Sequence, residues 1–138
     1  MTLLNYEYPL VIISIVTWNN SDYIFNCIRA VQASNYSNFQ IIVFDNNSHD
    51  DTVEIVKAFS SNIRIIKNGI NIGFAAAHNY NISSREADYY LVLNPDAILS
   101  NDYISKAVEI MENKPDVGAL SGLLVRDNDE NIIDCSQV

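Results

Sequence analysis

Four short apolar runs divide this chain: Leu10–Val16 (LVIISIV), Gln40–Phe44 (QIIVF), Ile63–Ile66 and Tyr89–Leu93 (YYLVL). Each is rich in β-branched or aromatic residues and too short to be a helix, so each reads as a strand. A strand that is hydrophobic throughout, instead of on alternate residues, is buried on both faces, which is the habit of parallel sheets. That one feature excludes an all-helical bundle and an open antiparallel meander.

Helical segments fall between the runs. Ile24, Ile28 and Val31 recur at helical spacing, which predicts a helix from about Asp22 to Ala33. Ser48 and Asp51 form a pair like a capping box ahead of a helix to about Phe59. Phe74 to Arg85 is alanine-rich and helical in pattern, and Ser100 is placed to cap a helix with Ile104, Ala107, Val108 and Met111 on one face. Val117 to Val125 reads as a further strand and Ile132-Ile133 as one more, with a polar turn at Asp127 to Glu130 between them. The alternation predicts the α/β class: a mostly parallel sheet with helices on both faces and right-handed crossovers. The chain is expected to be a single domain over residues 1–138.

Composition narrows the function classes. Eight Lys and Arg against 17 Asp and Glu give a net charge of −9, and the pI is near 4.4. Nucleic acid and anionic membranes are bound through basic surfaces, so neither is an expected partner. At 49% hydrophobic and 18% charged residues the chain can bury a core. Cys27 and Cys135 lack CxxC spacing and the density of a disulfide framework, which favours reduced thiols in the cytoplasm. The run at Leu10 to Val16 has no basic segment before it, since the first Lys or Arg is Arg29, so it is not read as a signal-peptide core.

In doubly wound sheets, ligands bind beyond the carboxyl ends of the strands where the strand order reverses. The polar tips to inspect are therefore Thr17 to Asn19, Asp45 to Ser48 and Asn94 to Asp96. Asp45-Asn46-Asn47-Ser48 fits a turn and helix cap, with Ser48 as the cap. Asp45 ends an apolar strand, and fits equally a turn residue and an acceptor for a base or ribose. Asn94-Pro95-Asp96 fits a turn, and also a site where one carboxylate helps to hold Mg²⁺ or Mn²⁺ on a diphosphate. Trp18, the only Trp, lies among polar neighbours beyond a strand, where an indole is placed to stack on a nucleobase. Asn71-Ile72-Gly73-Phe74 opens the third helix, with His78 and Asn79 about one turn in. GxGxxG, GxxxxGK[ST] and GxSxG are absent, which disfavours dinucleotide-binding, P-loop and serine-hydrolase readings.

The ordered set VIISIVTWNN, IIVFDNNSHDDT, NIGFAAAHN and YYLVLNPDA resembles the amino-terminal half of family 2 glycosyltransferases, over about residues 9–126. The LNPD form is similar to members described as rhamnosyltransferase-like. The resemblance implies a Rossmann-like GT-A nucleotide-binding half. It implies that Thr17, Trp18 and Asn19 surround the nucleobase and that Asp45 contacts base or ribose. It implies that Asn94 and Asp96 are the outer positions of a DxD-type motif, with Asp96 the metal ligand. Asn71, Gly73 and Asn79 match the family pattern around the third helix. His78 stands where relatives often carry Arg, and Asn81 where Gly is common. His78 and Asn47 complete the donor-binding candidates.

The activity implied is metal-assisted, inverting transfer of a sugar from a nucleotide-diphosphate sugar to a hydroxyl of a glycan or lipid-linked acceptor. The implied setting is the cytoplasm, at the inner face of the membrane, in cell-surface polysaccharide synthesis of a bacterial type. No base motif is recognisable among Asp127, Asp129, Glu130 and Asp134, so the acceptor half is expected to be missing. That leaves a non-catalytic sugar-nucleotide-binding module as the rival reading. It also predicts self-association through an exposed sheet edge or apolar surface.

Overall fold

The computed structural model describes residues 8–59, 63–126 and 129–133. Its first strand, β1 (Val11–Thr17), is buried at every position. α1 (Ile24–Gln32) follows, then β2 (Phe39–Asp45), α2 (Thr52–Ala58) and β3 (Ile63–Lys67). α3 (Phe74–Ser83), β4 (Tyr89–Leu93) and α4 (Tyr103–Asn113) complete the main body. All four strands pair in parallel in the order β3-β2-β1-β4. The chain steps outward from β1 to β3, then crosses back to place β4 on the free side of β1. The order therefore reverses between β1 and β4, and a ligand crevice is expected at that boundary.

Side chains alternate across the sheet. On one face Val11, Ile13 and Ile15 of β1 and Ile41 and Val43 of β2 form the main core with Ile24, Cys27, Ile28 and Val31 of α1. Val56 of α2 and Ile104 and Val108 of α4 close that core. Replacing Ile13 by Ala here would cost about 2–5 kcal/mol, from lost burial and the cavity left behind. Among the described residues the opposite face carries only α3, whose Ala77 packs on Val16 and Phe44. Helices thus lie on both faces, as the apolar runs require. The cover is unequal, because α3 spans β1 and β2 and leaves Tyr90 and Val92 of β4 at 38% and 47% exposed.

Two expectations about the ends of elements need correction. Neither Ser48 nor Ser100 caps a helix: α2 begins after Asp51 and α4 after Asp102. Ser48 Oγ instead accepts the Asn19 N–H at 2.9 Å, and the Ser100 hydroxyl donates to Asp102 Oδ1 at 3.0 Å. The strand expected over Val117–Val125 shrinks to β5 (Val125–Arg126), which pairs antiparallel with β6 (Asp129–Ile133). Residues 117–124 run past the first turn of α4. There Gly122 passes close over the Tyr103 ring, which leaves no room for a Cβ. Asp127, Asp134 and Cys135 lie outside the described residues. No described helix is long and apolar enough to cross a membrane.

Candidate functional site

The site is built where four loops leave the carboxyl ends of the strands. At its centre the Thr17 hydroxyl donates to Asp45 Oδ1 at 3.2 Å. Asp45 Oδ2 accepts the Ser48 N–H, also at 3.2 Å, which fixes the bend of the chain after β2. Asp45 is only 2% exposed. Both its oxygens are engaged, yet each carboxylate oxygen can accept a second bond.

The first two loops are laced together by four hydrogen bonds. Asn19 N–H donates to Ser48 Oγ at 2.9 Å, and Asn19 Oδ1 accepts the His49 N–H at 2.8 Å. Asn20 N–H donates to Thr52 Oγ1 at 2.8 Å, and Ser21 N–H to Asp50 Oδ2 at 3.0 Å. Asn19 and Asn47 both sit in the left-handed region, at φ 54° and 68°, which Asn tolerates better than most residues. Burial alone would raise the Asp50 pKa. Hydrogen bonds from the Thr52 hydroxyl and the Ser21 and Thr52 N–H groups outweigh it and hold Asp50 at about 2. Asp50 is thus an anchor for the first loop that sequence reasoning missed. Its partners are close in space but 29 residues apart for Ser21, which no local pattern reveals.

Trp18 emerges from this lacing 55% exposed, so it is a surface aromatic at the β1 tip and no part of the core. On the far side of the switch point, Asn94 and Asp96 are both exposed on the β4–α4 loop. The Asn94 carbonyl accepts the Ala97 N–H at 3.2 Å, which closes the Asn94-Pro95-Asp96 turn. The buried Cys27 thiol supports that carbonyl from below at 3.5 Å. Burial, and then the Asp96 charge, push the Cys27 thiol up to about 12.

The third loop brings Asn71 and Gly73 to the same end of the sheet. Gly73 takes φ +84°, where a side chain would be strained, and its N–H donates to Asn71 Oδ1 at 2.8 Å. Asn46, a residue the sequence reading passed over, ties this loop to β2 through Ile72 and Gly73. His78 and Asn79 are not brought to the tips. They lie roughly 6–8 Å further along α3, given 1.5 Å per residue. His78 is buried against the middle of β1, with Nδ1 2.7 Å from Ser14 Oγ, while Asn79 sits on the exposed side of α3. Asn81 donates to the same Ser14 Oγ at 2.9 Å, so one hydroxyl links His78 and Asn81 to the middle of β1. His78 Nε2 and Asn81 Oδ1 find no partner among the described residues. Burial lowers the His78 pKa.

Among the described residues no three His, Cys, Asp or Glu side chains converge as a metal centre. The donor set at the β4 tip is one exposed carboxylate with neutral oxygens near it. That fits Mg²⁺ or Mn²⁺, which bind through one or two carboxylates plus phosphate and water, and it does not fit a caged ion. Chemically, the tips offer a buried acceptor, an exposed indole and an exposed carboxylate at one end of the sheet.

Comparison with known proteins agrees with this architecture. An uncharacterised glycosyltransferase of Haemophilus influenzae is 28% identical over 119 residues, which is 84% of this chain and 37% of that protein. The UDP-Glc:alpha-D-GlcNAc-diphosphoundecaprenol beta-1,3-glucosyltransferase WfaP of Escherichia coli is 32% identical over 76% of this chain and 42% of its own length. The mannosyltransferase PcManGT from Pyrobaculum calidifontis, solved in complex with GDP-Man and Mn²⁺, superposes with a TM-score of 0.80 at 21% identity. That superposition covers 91% of this chain and 38% of PcManGT. The chain therefore spans about two-fifths of these relatives. The family Glycosyl transferase family 2 matches residues 12–134, and this chain belongs to that family.

Proposed function

We propose that this chain binds the donor for an inverting glycosyl transfer, a nucleotide-diphosphate sugar, at the tips of β1, β2 and β4. One observation carries the reading: the Thr17–Asp45 pair and the Asn94–Asp96 turn flank the point where the strand order reverses. Trp18 stacks on the nucleobase, and Thr17, Asn19 and Asn47 shape its surroundings. Asp45 accepts from base or ribose through its remaining lone pairs. Asn71 and Gly73 border the diphosphate at the entrance of α3, and Asn94 and Asp96 meet it from the other side. Mg²⁺ or Mn²⁺ held by Asp96 would supply charge neutralisation of the departing diphosphate.

In the reaction an acceptor hydroxyl attacks the anomeric carbon while the bond to the diphosphate oxygen breaks, and the configuration inverts. The proton goes to a carboxylate base, which the described residues do not identify. The acceptor in this reading is a glycan or lipid-linked hydroxyl at the cytoplasmic side of the membrane. The relatives support this class of substrate, since WfaP is named for UDP-Glc and PcManGT was solved with GDP-Man and Mn²⁺. His78 and Asn79 have no role in it, given their distance from the tips.

Calorimetry with UDP-glucose, GDP-mannose and dTDP-rhamnose, with and without Mn²⁺, tests the proposal. One donor should bind more tightly with Mn²⁺, and Asp96→Asn should remove that metal dependence. Failure of every donor under both conditions would sink it. Self-association of two copies through the exposed side of β4 is a subsidiary proposal. Sedimentation should show mass rising with concentration, and a constant monomer would end it.

A further inference from the structure

Three stretches distant in sequence meet on Asn46. Its N–H donates to the Thr17 carbonyl at 2.8 Å, which carries the β1–β2 ladder one step past the last paired residues. Its side-chain oxygen accepts the Ile72 N–H at 3.1 Å, and its amide nitrogen donates to the Gly73 carbonyl at 3.4 Å. A backbone N–H only donates and a carbonyl only accepts, so these partners assign both ends of the amide. Asn46 is 2% exposed, the same as its neighbour Asp45.

Besides Asn46, the segment is held by Asn68, whose amide donates to the Ile70 carbonyl at 2.7 Å, and by the Phe74 ring, which packs edge-on against His78. Gly69 to Phe74 is exposed at every position. α3 begins with no side-chain cap, and Asn71 bonds only within the loop, to Gly73. The backbone bond from Asn68 N–H to the Asp45 carbonyl holds the loop at its start, four residues before Ile72. A neutral amide that donates and accepts at once suits this position, because a hydrophobic residue would leave Ile72 N–H without its partner and Gly73 C=O with only the Ala77 N–H of α3, at 3.2 Å.

We infer that Asn46 is a positioning residue, setting the entrance of α3 at a fixed place relative to Asp45. The consequence for binding rests on the function proposed above. With the entrance held, a donor meets one preformed surface and loses less freedom on binding than if two loops had to be ordered separately.

The test uses the full chain and two variants. Asn46→Ala removes both side-chain bonds. Asn46→Asp keeps an acceptor for Ile72 N–H and loses the donor to Gly73. Amide exchange followed by NMR should rise about tenfold over residues 70–74 in Asn46→Ala, with β1 and β2 amides unchanged. In Asn46→Asp the Ile72 amide should stay within about threefold of the parent. Donor affinity should fall about tenfold in Asn46→Ala, with the acid variant restoring part of it for a metal-bound donor. Parent-like exchange at 70–74 in Asn46→Ala would overturn the positioning role, and raised exchange with unchanged affinity would overturn its link to binding. If Asn46→Ala does not fold, parent-like exchange at Gly73 and Phe74 in Asn46→Asp is the overturning result. A parent that binds no nucleotide sugar defeats the proposed function alone, and the exchange measurement still decides whether Asn46 holds the loop.

Discussion

Thr17 and Asp45 end the two central strands as a buried hydrogen-bonded pair, with the hydroxyl donating to Oδ1 at 3.2 Å. The partners of Asp45 differ in one respect. The Thr17 hydroxyl can reverse and accept, whereas the Ser48 N–H can only donate. Asp45→Asn can therefore keep its oxygen on Ser48 and turn its amide to Thr17, at a cost below about 1 kcal/mol. Asp45→Ala strands both donors and should cost about 1–3 kcal/mol. Urea unfolding measures the stabilities. Donor calorimetry should show binding weakened in both variants, including the stable Asn form. An Asn variant that binds donor like the parent would leave Asp45 as a turn residue only.

Trp18 is the only Trp in the chain and is more than half exposed. Its emission is therefore a local probe of the crevice. Nucleotide stacking should quench that emission and reduce its accessibility to acrylamide. Stacking of this kind is worth about 1–3 kcal/mol, so Trp18→Ala should weaken nucleotide affinity roughly 5- to 150-fold. Saturating nucleotide with no change in emission would place the base elsewhere.

His78 should make stability depend on pH. Its pKa is lowered from 6.5 by burial between α3 and β1. Below 6.5 the unfolded chain takes up a proton that the folded chain refuses, so stability falls as pH drops from 6.5 toward the folded value. Above 6.5 this contribution is constant. Unfolding free energies at pH 7.5, 6.0 and 5.0 should show a slope that His78→Gln reduces. Equal slopes in the two proteins, or an imidazole NMR titration at or above 6.5, would refute it.

Cys27 should be inert in the folded chain. With its thiol at about 12, almost no thiolate exists at pH 8, and burial blocks access to it. Iodoacetamide followed by mass mapping of the Cys27 peptide should show slow labelling in buffer and rapid labelling in urea. Equal rates would mean that α1 opens readily from the sheet.

The parts legible in the sequence are those encoded by local period. The run Tyr89–Leu93 coincides with β4, and Leu10–Val16 and Gln40–Phe44 match β1 and β2 to within one residue at each end, because an apolar run and its polar stop are neighbours in the chain. The stripe Ile24, Ile28 and Val31 located α1 for the same reason. Contacts that depend on folding were not legible. Ser48 has the composition of a cap, but Asn19, 29 residues away, takes its oxygen. His78 looked available near a helix start, and only the packing of α3 on Ser14 shows it buried. Asn46 has the composition of a turn residue, and its hold on Ile72 and Gly73 is hidden because they are 26 and 27 residues away. The segment 117–124 was apolar enough for a strand, and its close pass over Tyr103 is a three-dimensional fact.

The strand order also grades stiffness across the crevice. β1 and β2 each have a neighbour on both sides, whereas β4 pairs only with β1 among the described residues and leaves Tyr90 and Val92 uncovered. Local opening starts where ladders and apolar contacts are fewest. The strand leading to Asp96 should therefore fluctuate while the Thr17–Asp45 end stays rigid. On the function proposed above, a nucleotide would meet a ready-made base seat at Thr17 and Asp45 and a compliant strand behind Asp96, so bound donor should slow amide exchange along β4.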